Sequence, residues 1–474
     1  MTTVTLSDCS LRKLHLSYSR VESYAFSISP DLRSIAVRKR PLYFFAEVGI
    51  VHRLVAVVLA VCRIGVVDLL RGYSRILERQ CLFVILLACL LNLSTIFLDI
   101  EDVDYRHGDL IMDTPEQFEP RTILLWERIA EYAEAQRLIR LFPSAEVRVI
   151  KQQRYHSSAD TSPGQALLDS KKVLMIGQAS SFVGQSDGNL GPNVLCRPYH
   201  KLVPISNGCP FYCTYCYLAY VYRNHSPFIK ININYDTMFR QIRRAAQANR
   251  TVCFNMGEML DSLALDHITN LTTRLVPFFA QFKNAFSMLL TKSANIANLL
   301  QLKPNRQTVL SWSINTEQMI DTHEIGTASL TQRIKAAKIC QDHGFRIRIR
   351  IDPGMLHKQW QTAYADLVRQ IMTAIKPENI TLGMLRLLPG HLRLARQAYG
   401  PRARKLHASD LVKGASDGKL RYPPKKRIEF YTFLAQTIRT YDKNASIGLC
   451  RETPQVWKNL KPICNPRQCN CITW

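Results

Sequence analysis

The stretch Cys209-Pro-Phe-Tyr-Cys213-Thr-Tyr-Cys216-Tyr217 holds three cysteines in the spacing C-x3-C-x2-C. Packing does not easily explain three thiols so close together. A structural zinc ion takes four protein ligands, and iron–sulfur clusters are usually held by four cysteines. Three cysteines around a four-iron cluster would leave one iron open to a non-protein ligand, which favours chemistry over architecture. The alternative is a zinc site on the Cys213-x2-Cys216 pair, completed by Cys196 or Cys209.

From residue 200 onward, apolar strand patterns alternate with helical periodicity, which predicts parallel βαβ units. The six expected strands are Lys201–Ile205, Thr251–Met256, Phe286–Thr291, Thr308–Ile314, Arg346–Ile351 and Asn379–Met384. The five expected helices are Tyr235–Gln247, Leu263–Phe282, Ala294–Leu302, Leu330–His343 and Gln359–Ile375. Reactive groups of parallel barrels lie at the C-terminal ends of strands. Residues in such positions are Cys209, Glu258, Lys292, Asn315 and Asp352.

The cysteine spacing is that of the radical S-adenosylmethionine (SAM) enzymes, and from about Phe118 to about Arg451 the chain resembles their spore photoproduct lyase family. The matching words are Phe118-Glu-Pro-Arg121, Gly208-Cys-Pro-Phe-Tyr-Cys-Thr-Tyr-Cys-Tyr-Leu218, Leu265-Asp-His-Ile-Thr269, Ser313-Ile-Asn315 and Glu324-Ile-Gly-Thr327 with Arg333-Ile.

The resemblance implies an α/β fold with a partial (β/α)6 barrel and a [4Fe–4S] cluster on Cys209, Cys213 and Cys216. The amino and carboxylate groups of SAM would chelate the fourth iron. Cleavage of SAM would then give methionine and a 5′-deoxyadenosyl radical that abstracts hydrogen from the substrate, a thymine dimer in the lyases. A reduced flavodoxin or ferredoxin is the implied electron donor.

One position departs from the family pattern. Aligned on Asp261 and Asp266, the hydrogen-donating cysteine of the lyases is replaced by Glu258, and Cys253 lies five residues earlier, inside an expected strand. The Gly257-Glu258 pair instead resembles the pair with which many radical SAM enzymes hold the SAM ammonium group. A carboxylate suits that cation. The radical machinery is therefore expected to be intact, while the lyase reaction itself is in question.

The other candidate site residues have both a functional and a structural interpretation. Ser313 and Asn315 share one face of a strand and are expected to contact the SAM ribose or carboxylate. Lys292 and Arg350 are expected to bind a carboxylate or phosphate, or else to be structural. Tyr215 and Tyr217 match tyrosines beside the lyase cluster and are the candidate hydrogen-atom relay, although aromatic packing would give the same pattern.

The charge of the chain favours a polyanionic partner. Lysine and arginine number 62 against 37 acidic residues, for a formal net charge of +25. Such an excess suits nucleic acid. The segment 386–427 is basic and rich in glycine and proline, which predicts loops that hold phosphates or a solvated surface.

Residues 1–115 match nothing in the family and form an extension of unknown role, partly apolar. Within it, the 18 residues of Cys81–Leu98 reach the lower limit of a membrane-spanning helix, with a buried helix as the alternative. The first twenty residues have no signal-peptide pattern. Clustered cysteines then indicate metal binding under reducing conditions, and a cytoplasmic location is expected.

The remaining segments flank the predicted barrel of residues 201–390. In the lead-in, 116–200, a helix is expected at Ile123–Leu141, strands at Glu146–Ile150 and Lys172–Gly177, and a loop at Ser157–Gly164. The small C-terminal region, 391–474, is basic, and a second metal site or a set of free thiols is expected from Cys450, Cys464, Cys469 and Cys471.

Three functions are therefore open. The first is a radical SAM enzyme resembling spore photoproduct lyase and acting on nucleic acid. The second is a radical SAM enzyme acting on RNA, protein or a small molecule, which the missing lyase cysteine favours. The third is a non-catalytic nucleic-acid-binding protein with a zinc or structural iron–sulfur site.

Overall fold

The structure, a computed structural model, divides the chain into two compact units, residues 1–106 and 107–474. In the first unit only three short strands are described: Thr3–Val4, Phe26–Ile28 and Ile35–Val37 form a three-stranded antiparallel sheet. The described residues of the second unit are 118–154, 161–186, 198–223, 227–247, 250–406, 410–414, 418–461, 463–464 and 471. The possible membrane segment Cys81–Leu98 lies outside the described residues.

The second unit is built on two main sheets flanked by helices. Its strands are β1 Thr122–Trp126, β2 Glu146–Ile150, β3 Val173–Gly177, β4 Val183–Ser186, β5 Tyr199–Leu202, β6 Ile205–Ser206, β7 Tyr212–Cys213, β8 Ile229–Asn232, β9 Val252–Asn255, β10 Ala285–Thr291, β11 Thr308–Ser313, β12 Glu324–Ile325, β13 Arg346–Gly354, β14 Ile380–Met384, β15 Arg386–Leu387, β16 Val412–Lys413, β17 Leu420–Arg421 and β18 Ile447–Leu449.

The α-helices lie mostly between these strands, in the order expected of crossover connections. They are α1 Ala133–Arg140, α2 Pro163–Ser170, α3 Tyr217–Val221, α4 Tyr235–Ala246, α5 Asp266–Thr269, α6 Leu271–Phe279, α7 Ala297–Leu300, α8 Glu317–His323, α9 Leu330–Asp342, α10 Trp360–Ala374, α11 His391–Tyr399, α12 Pro401–Arg404, α13 Pro424–Tyr441 and α14 Pro454–Leu460. No helix of the described residues is long and apolar enough to cross a membrane.

The larger sheet has eight strands in the order β18-β14-β13-β11-β10-β9-β5-β4. Its central six strands are the six expected from sequence, and they are parallel and sequential. A seventh parallel strand, β18, was not expected, and β4 adds an antiparallel edge. The α/β class and the curled, partial-barrel sheet agree with the expectation.

Side chains alternate along the strands of this sheet. In β13, Ile347, Ile349 and Ile351 pack into the main hydrophobic core, which includes residues of helices α8, α9, α10 and α13. Arg346, Arg348 and Arg350 occupy the intervening positions and therefore point to the opposite, inner face. This alternation places aliphatic residues against the helices and charges on the inner face.

The smaller sheet, in the order β2-β1-β3-β8-β6, forms the lead-in layer. Its strands β2, β1, β3 and β8 are parallel, and β6 pairs antiparallel with β8. One face packs into a separate core with Leu138 of α1. Strands β6 and β8 of this lead-in sheet follow residue 200, and β18 of the larger sheet follows residue 390.

Several local expectations were wrong. The expected helix Ile123–Leu141 is β1, a short 3-10 turn and α1, because Ile123-Leu-Leu-Trp126 is a buried strand run. The expected helix Leu263–Phe282 breaks at Asn270, whose φ of 49° is left-handed. Of the expected loop Ser157–Gly164, residues 157–160 lie outside the described residues, and Pro163 is the first residue of α2, which Ser162 caps. The segment 386–427, expected to be loops, contains α11, α12 and the start of α13.

Candidate active site

The three-cysteine loop is held by backbone pairing to the segment after α8. Strand β7 pairs antiparallel with β12, so that Cys213 lies opposite Glu324. The next residue, Thr214, donates its backbone N–H to His323 O at 2.9 Å, and its hydroxyl lies 2.9 Å from His323 Nδ1. The loop is therefore fixed at the residue between its second and third cysteines.

The three thiols line a single cavity of about 250 Å³. Burial raises the pKa of Cys209 to about 12, opposed by the charge of Lys171. Burial and the negative charge of Glu324 raise the pKa of Cys213 well above its usual range. Without metal these two thiols hold their protons, so iron binding would displace protons from them.

The three thiols of the loop line one cavity, which fits the three cysteine ligands of a [4Fe–4S] cluster with one open iron. No three His, Cys, Asp or Glu side chains among the described residues are placed to hold one metal ion. A single zinc ion would need sulfur atoms gathered at about 2.3 Å from its centre. A [4Fe–4S] cluster would take one thiolate on each of three irons, and Cys209, Cys213 and Cys216 would supply them from their shared cavity.

A buried network of ion pairs around Glu324 supports the three-cysteine loop. Glu324 Oε2 lies 2.6 Å from Arg333 Nη2, and Glu324 Oε1 lies 3.1 Å from Lys292 Nζ. The Tyr215 hydroxyl donates to Glu324 Oε1. Burial would raise the pKa of Glu324, but Arg333 and Lys292 outweigh it and lower that pKa to about 2. The Glu324-Ile-Gly-Thr327…Arg333 motif therefore stabilises the three-cysteine loop through the buried Glu324–Arg333 ion pair.

Lys292 extends this network to the neighbouring strand. Its ammonium group donates to Ser313 Oγ at 2.8 Å, and it lies 5.7 Å from the centre of the Tyr215 ring. Both Lys292 and Ser313 line the cavity at the ends of β10 and β11. Lys292 thus connects Ser313 to Tyr215 of the three-cysteine loop.

Asn315, predicted to bind the cofactor, is not among the residues that line the cavity. It is buried, and its amide Nδ2 donates to Pro353 O at 2.9 Å. Its Oδ1 accepts from the Tyr364 hydroxyl and the Thr316 N–H, each at 2.9 Å. These contacts leave Asn315 a role in shaping the strand ends.

Gly257 and Glu258 line the wall of the cavity that follows β9. A Cβ atom at Gly257 would lie 2.1 Å from Leu290 Cβ, so this position requires glycine for packing. Glu258 Oε2 accepts from Arg451 Nη2 at 2.7 Å. Burial would raise the pKa of Glu258, but Arg451, Arg350 and Lys201 outweigh it and the pKa is lowered. Glu258 is therefore an ionised carboxylate at neutral pH.

A second carboxylate, Asp352, lies between two arginines of the cavity wall. Asp352 Oδ2 accepts from Arg350 Nη2 at 2.8 Å and from Arg386 Nη2 at 2.7 Å. Burial opposes ionisation, yet the two guanidinium groups hold the pKa of Asp352 well below its usual range. Arg350 Nη2 also lies 2.9 Å from Cys450 Sγ. A Cβ atom at Gly383 would lie 2.5 Å from Asp352 Cγ, so glycine makes room for this carboxylate.

Tyr217 lies at the N-terminus of α3, with its side chain on the cavity wall. Its side chain is 44% exposed, and Lys419 Nζ lies 5.3 Å from the ring centre. Tyr215 lines the same cavity but is tied to Glu324. The two candidate relay tyrosines therefore share one cavity, and Tyr217 is the more exposed of the two.

The cavity wall carries more cationic than acidic side chains. Lys292, Arg350, Arg386, Lys419 and Arg451 face Glu258, Asp261 and Asp352. Sequence reasoning held Arg350 as a candidate and placed Arg386 and Lys419 in a basic segment, but it missed Arg451. The only signal for Arg451 was its position at the end of the family resemblance.

The C-terminal cysteines that the structure describes do not form one site. Cys450 contacts Arg350, Cys464 packs in the main core, and Cys471 Sγ accepts from Asn255 Nδ2 at 3.3 Å. Cys469 lies outside the described residues. The expected second metal site is therefore not assembled from the described cysteines.

Comparison with known proteins identifies relatives of this chain. A model of the family "spore photoproduct lyase" matches residues 118–397, more than half of the chain. The spore photoproduct lyase of Bacillus subtilis (strain 168) is 25% identical over 273 residues, which are 56% of this chain and 75% of the relative. That of Clostridium acetobutylicum is 23% identical over 255 residues, 53% of this chain and 73% of the relative.

Solved structures of the same enzyme share the fold. Spore photoproduct lyase complexed with dinucleoside spore photoproduct superposes with a TM-score of 0.62 at 19% identity, covering 71% of this chain and 100% of that one. A doubly substituted form with bound AdoMet and dinucleoside spore photoproduct gives the same TM-score at 20% identity, covering 70% and 99%.

Proposed function

The chain belongs to the spore photoproduct lyase family of radical SAM enzymes, and we propose that it acts on a base in nucleic acid at the cavity of the three thiols. The observation that carries this proposal is the shared cavity, in which Cys209, Cys213 and Cys216 lie with Glu258 and the arginines of the strand ends. When bound, a [4Fe–4S] cluster and SAM would supply a 5′-deoxyadenosyl radical there.

The residues of this chain hold and orient these groups. Cys209, Cys213 and Cys216 would bind three irons, leaving the fourth for SAM. Glu258, an ionised carboxylate on the cavity wall, would receive the SAM ammonium group alongside Arg451. Ser313 and Lys292 would take the polar part of SAM, and Gly257 keeps this wall close to Leu290.

A nucleic-acid substrate is supported by charge. Five cationic side chains line the cavity against three carboxylates, and the whole chain carries a formal net charge of +25. Phosphates make most of the contacts that position a nucleic acid on a protein. A small reduced iron–sulfur or flavin protein, a ferredoxin or flavodoxin, would supply the electron.

The final step would differ from that of the lyases. Glu258 occupies the position of their hydrogen-donating cysteine, and an ionised carboxylate has no hydrogen atom to give. Tyr215 and Tyr217, both on the cavity wall, remain as hydrogen donors, with Tyr217 the exposed one. This observation favours a second candidate within the same class, a radical SAM enzyme whose substrate is not the thymine dimer of spores.

The proposal is tested by anaerobic reconstitution with iron and sulfide, iron counting, and electron paramagnetic resonance of the reduced protein with and without SAM. We expect about four irons per chain, a spectrum that changes on adding SAM, and release of 5′-deoxyadenosine. Cys213→Ala should lose iron, whereas Cys340→Ala, a buried thiol on α9 far from the loop in sequence, should keep it.

Product analysis then separates the candidates. DNA carrying the spore thymine dimer, undamaged DNA and RNA are each incubated with the reduced enzyme and SAM. Repair of the dimer alone would support the lyase reaction despite Glu258. A product from undamaged DNA or RNA would support the second candidate. A fully loaded cluster whose spectrum ignores SAM, with no 5′-deoxyadenosine from any substrate, would overturn the radical function.

A further inference from the structure

The outer edge of the lead-in sheet is an unusual surface. Strand β2 is the last strand of that sheet, and among the described residues only β1 pairs with it. Its burial pattern is exposed at four of five positions, with Val147 41% and Val149 64% exposed. Proteins usually protect such edges with charge, proline or bulges, because an open edge pairs readily with another strand.

The apolar face of this edge continues a core that helix α1 covers only in part. Val147 and Val149 lie beside Ile123 and Leu125 in the register of β1 and β2, and both isoleucine and leucine belong to the lead-in core. Leu141, at the end of α1, is also exposed at 45%. Exposed apolar residues that cluster beside a core mark interaction surfaces.

The backbone of β2 is oriented for pairing at these same residues. Glu146 donates its N–H inward, to Arg121 O at 2.9 Å. In a parallel pair, alternate residues direct both backbone groups to the same neighbour. Glu146, Arg148 and Ile150 therefore bond to β1, and Val147 and Val149 direct their N–H and C=O groups outward.

We propose that β2 pairs antiparallel with β2 of a second copy of this chain, about a two-fold axis at Val147. In that register Val147 lies opposite its symmetry mate and Val149 lies opposite Ala145, so the apolar face becomes continuous. Glu146 lies opposite Arg148 in both directions. Opposite charges directly across two strands are favourable, and a two-fold interface repeats each contact.

Other registers are disfavoured by the same side chains. An axis at Arg148 would place two arginines against each other, and like charges directly opposite are destabilising. A shift by one residue would place Val147 opposite Arg148 and mix the apolar and charged faces. Within one chain, Glu146 and Arg148 already pair at 2.6 Å, but both are more than half exposed. Such a pair is weak, so exchanging partners across the axis costs little.

Analytical ultracentrifugation of the reconstituted full chain over a concentration series tests the pairing. We expect a reversible dimer. Arg148→Glu should raise the dimer dissociation constant about tenfold or more, since cross-strand contacts of this kind are lost twice. The exchange Glu146→Arg with Arg148→Glu should restore the parent constant. Val149→Lys should dissociate the dimer by charging its apolar face.

Lys338→Glu is the matched control, because it makes the same charge reversal in an exposed pair on helix α9. It should leave the dissociation constant unchanged. A chain that sediments as a monomer at every concentration overturns the proposal. So does a dimer that tolerates Arg148→Glu, or one that the charge exchange fails to restore, because either would place the interface elsewhere. Circular dichroism of each variant verifies that the exposed substitutions leave the fold intact.

Discussion

Replacing Arg333 with methionine should strongly destabilise the barrel. The Arg333 side chain is fully buried and pairs with Glu324, whose side chain is also fully buried, at 2.6 Å. It also donates to Ala328 O at 2.8 Å and to Ser313 O at 2.9 Å. Arg333 therefore links Glu324, which supports the three-cysteine loop, to strand β11. Methionine fills similar space but leaves the Glu324 carboxylate with Lys292 as its remaining cation.

Removing one partner of a buried ion pair typically costs about 3–5 kcal/mol, because the remaining charge is left without compensation in a medium of low dielectric constant. We therefore expect a loss of that size in the free energy of unfolding, measured by urea denaturation of the anaerobic protein. Loss of the Glu324–Arg333 ion pair should also lower the iron content after reconstitution, because Cys213 lies opposite Glu324 in the β7–β12 pair.

The control is Lys338→Met on the same helix, whose partner Asp342 lies 2.5 Å away but whose pair is about half exposed. An exposed pair contributes about 0.2–1 kcal/mol. Adding Glu324→Gln to Arg333→Met should recover part of the lost stability, since it removes the buried carboxylate that Lys292 alone would then compensate. If Arg333→Met lowers the free energy of unfolding no more than Lys338→Met does, the Glu324–Arg333 pair does not stabilise the three-cysteine loop and the reasoning fails.

Three more perturbations test other contacts. Gly257→Ala should lower the free energy of unfolding by about 1–3 kcal/mol, because the added Cβ overpacks against Leu290. The control Gly184→Ala should be nearly neutral in thermal unfolding, because the nearest atom lies 4.0 Å from its added Cβ. Equal effects of the two substitutions would contradict the packing argument. The pKa of Asp352 is depressed below its ordinary 3.8, so its ion pairs stabilise the fold fully above pH 3.8 and progressively less as the pH falls below it. Asp352→Asn should therefore weaken the loss of unfolding free energy at acid pH, measured by urea titration at each pH. An unchanged dependence on pH would contradict this. Arg451→Gln should remove the main cationic partner of Glu258 and weaken the SAM-dependent change in the paramagnetic spectrum while iron content stays constant; loss of iron instead would assign Arg451 to folding.

The sequence was sufficient for the six central strands and for the three thiols, because these depend on short-range patterns. Apolar runs such as Thr308–Ser313 are bounded by polar turns, and the cysteine spacing is local. Strand β18 was missed because it has only three residues, Ile447–Leu449. Helix α13 was missed because the basic residues and prolines at its start were interpreted as a loop, although proline is favoured in the first turn of a helix.

The electrostatic partners of the site could not be read from sequence. Glu258 and Arg451 are 193 residues apart, and Arg350 and Cys450 are 100 apart. Their contacts arise only because the parallel strands bring their C-terminal ends to one edge of the sheet. The same geometry separates Ser313, which lines the cavity, from Asn315, which strand alternation alone would place beside it. The strand ends at Ser313, so alternation does not extend to Asn315.

The alternation of isoleucine and arginine along β13 gives the partial barrel a charged inner face. A closed eight-stranded barrel fills its interior with branched aliphatic side chains, and that packed interior needs every strand to shield it from water. Here Arg346 and Arg348 share Glu378, and Arg350 and Arg386 share Asp352, so carboxylates compensate the arginines of this strand. Charged side chains that pair with one another, in place of aliphatic side chains that would fill the interior, leave room for the cavity at the strand ends.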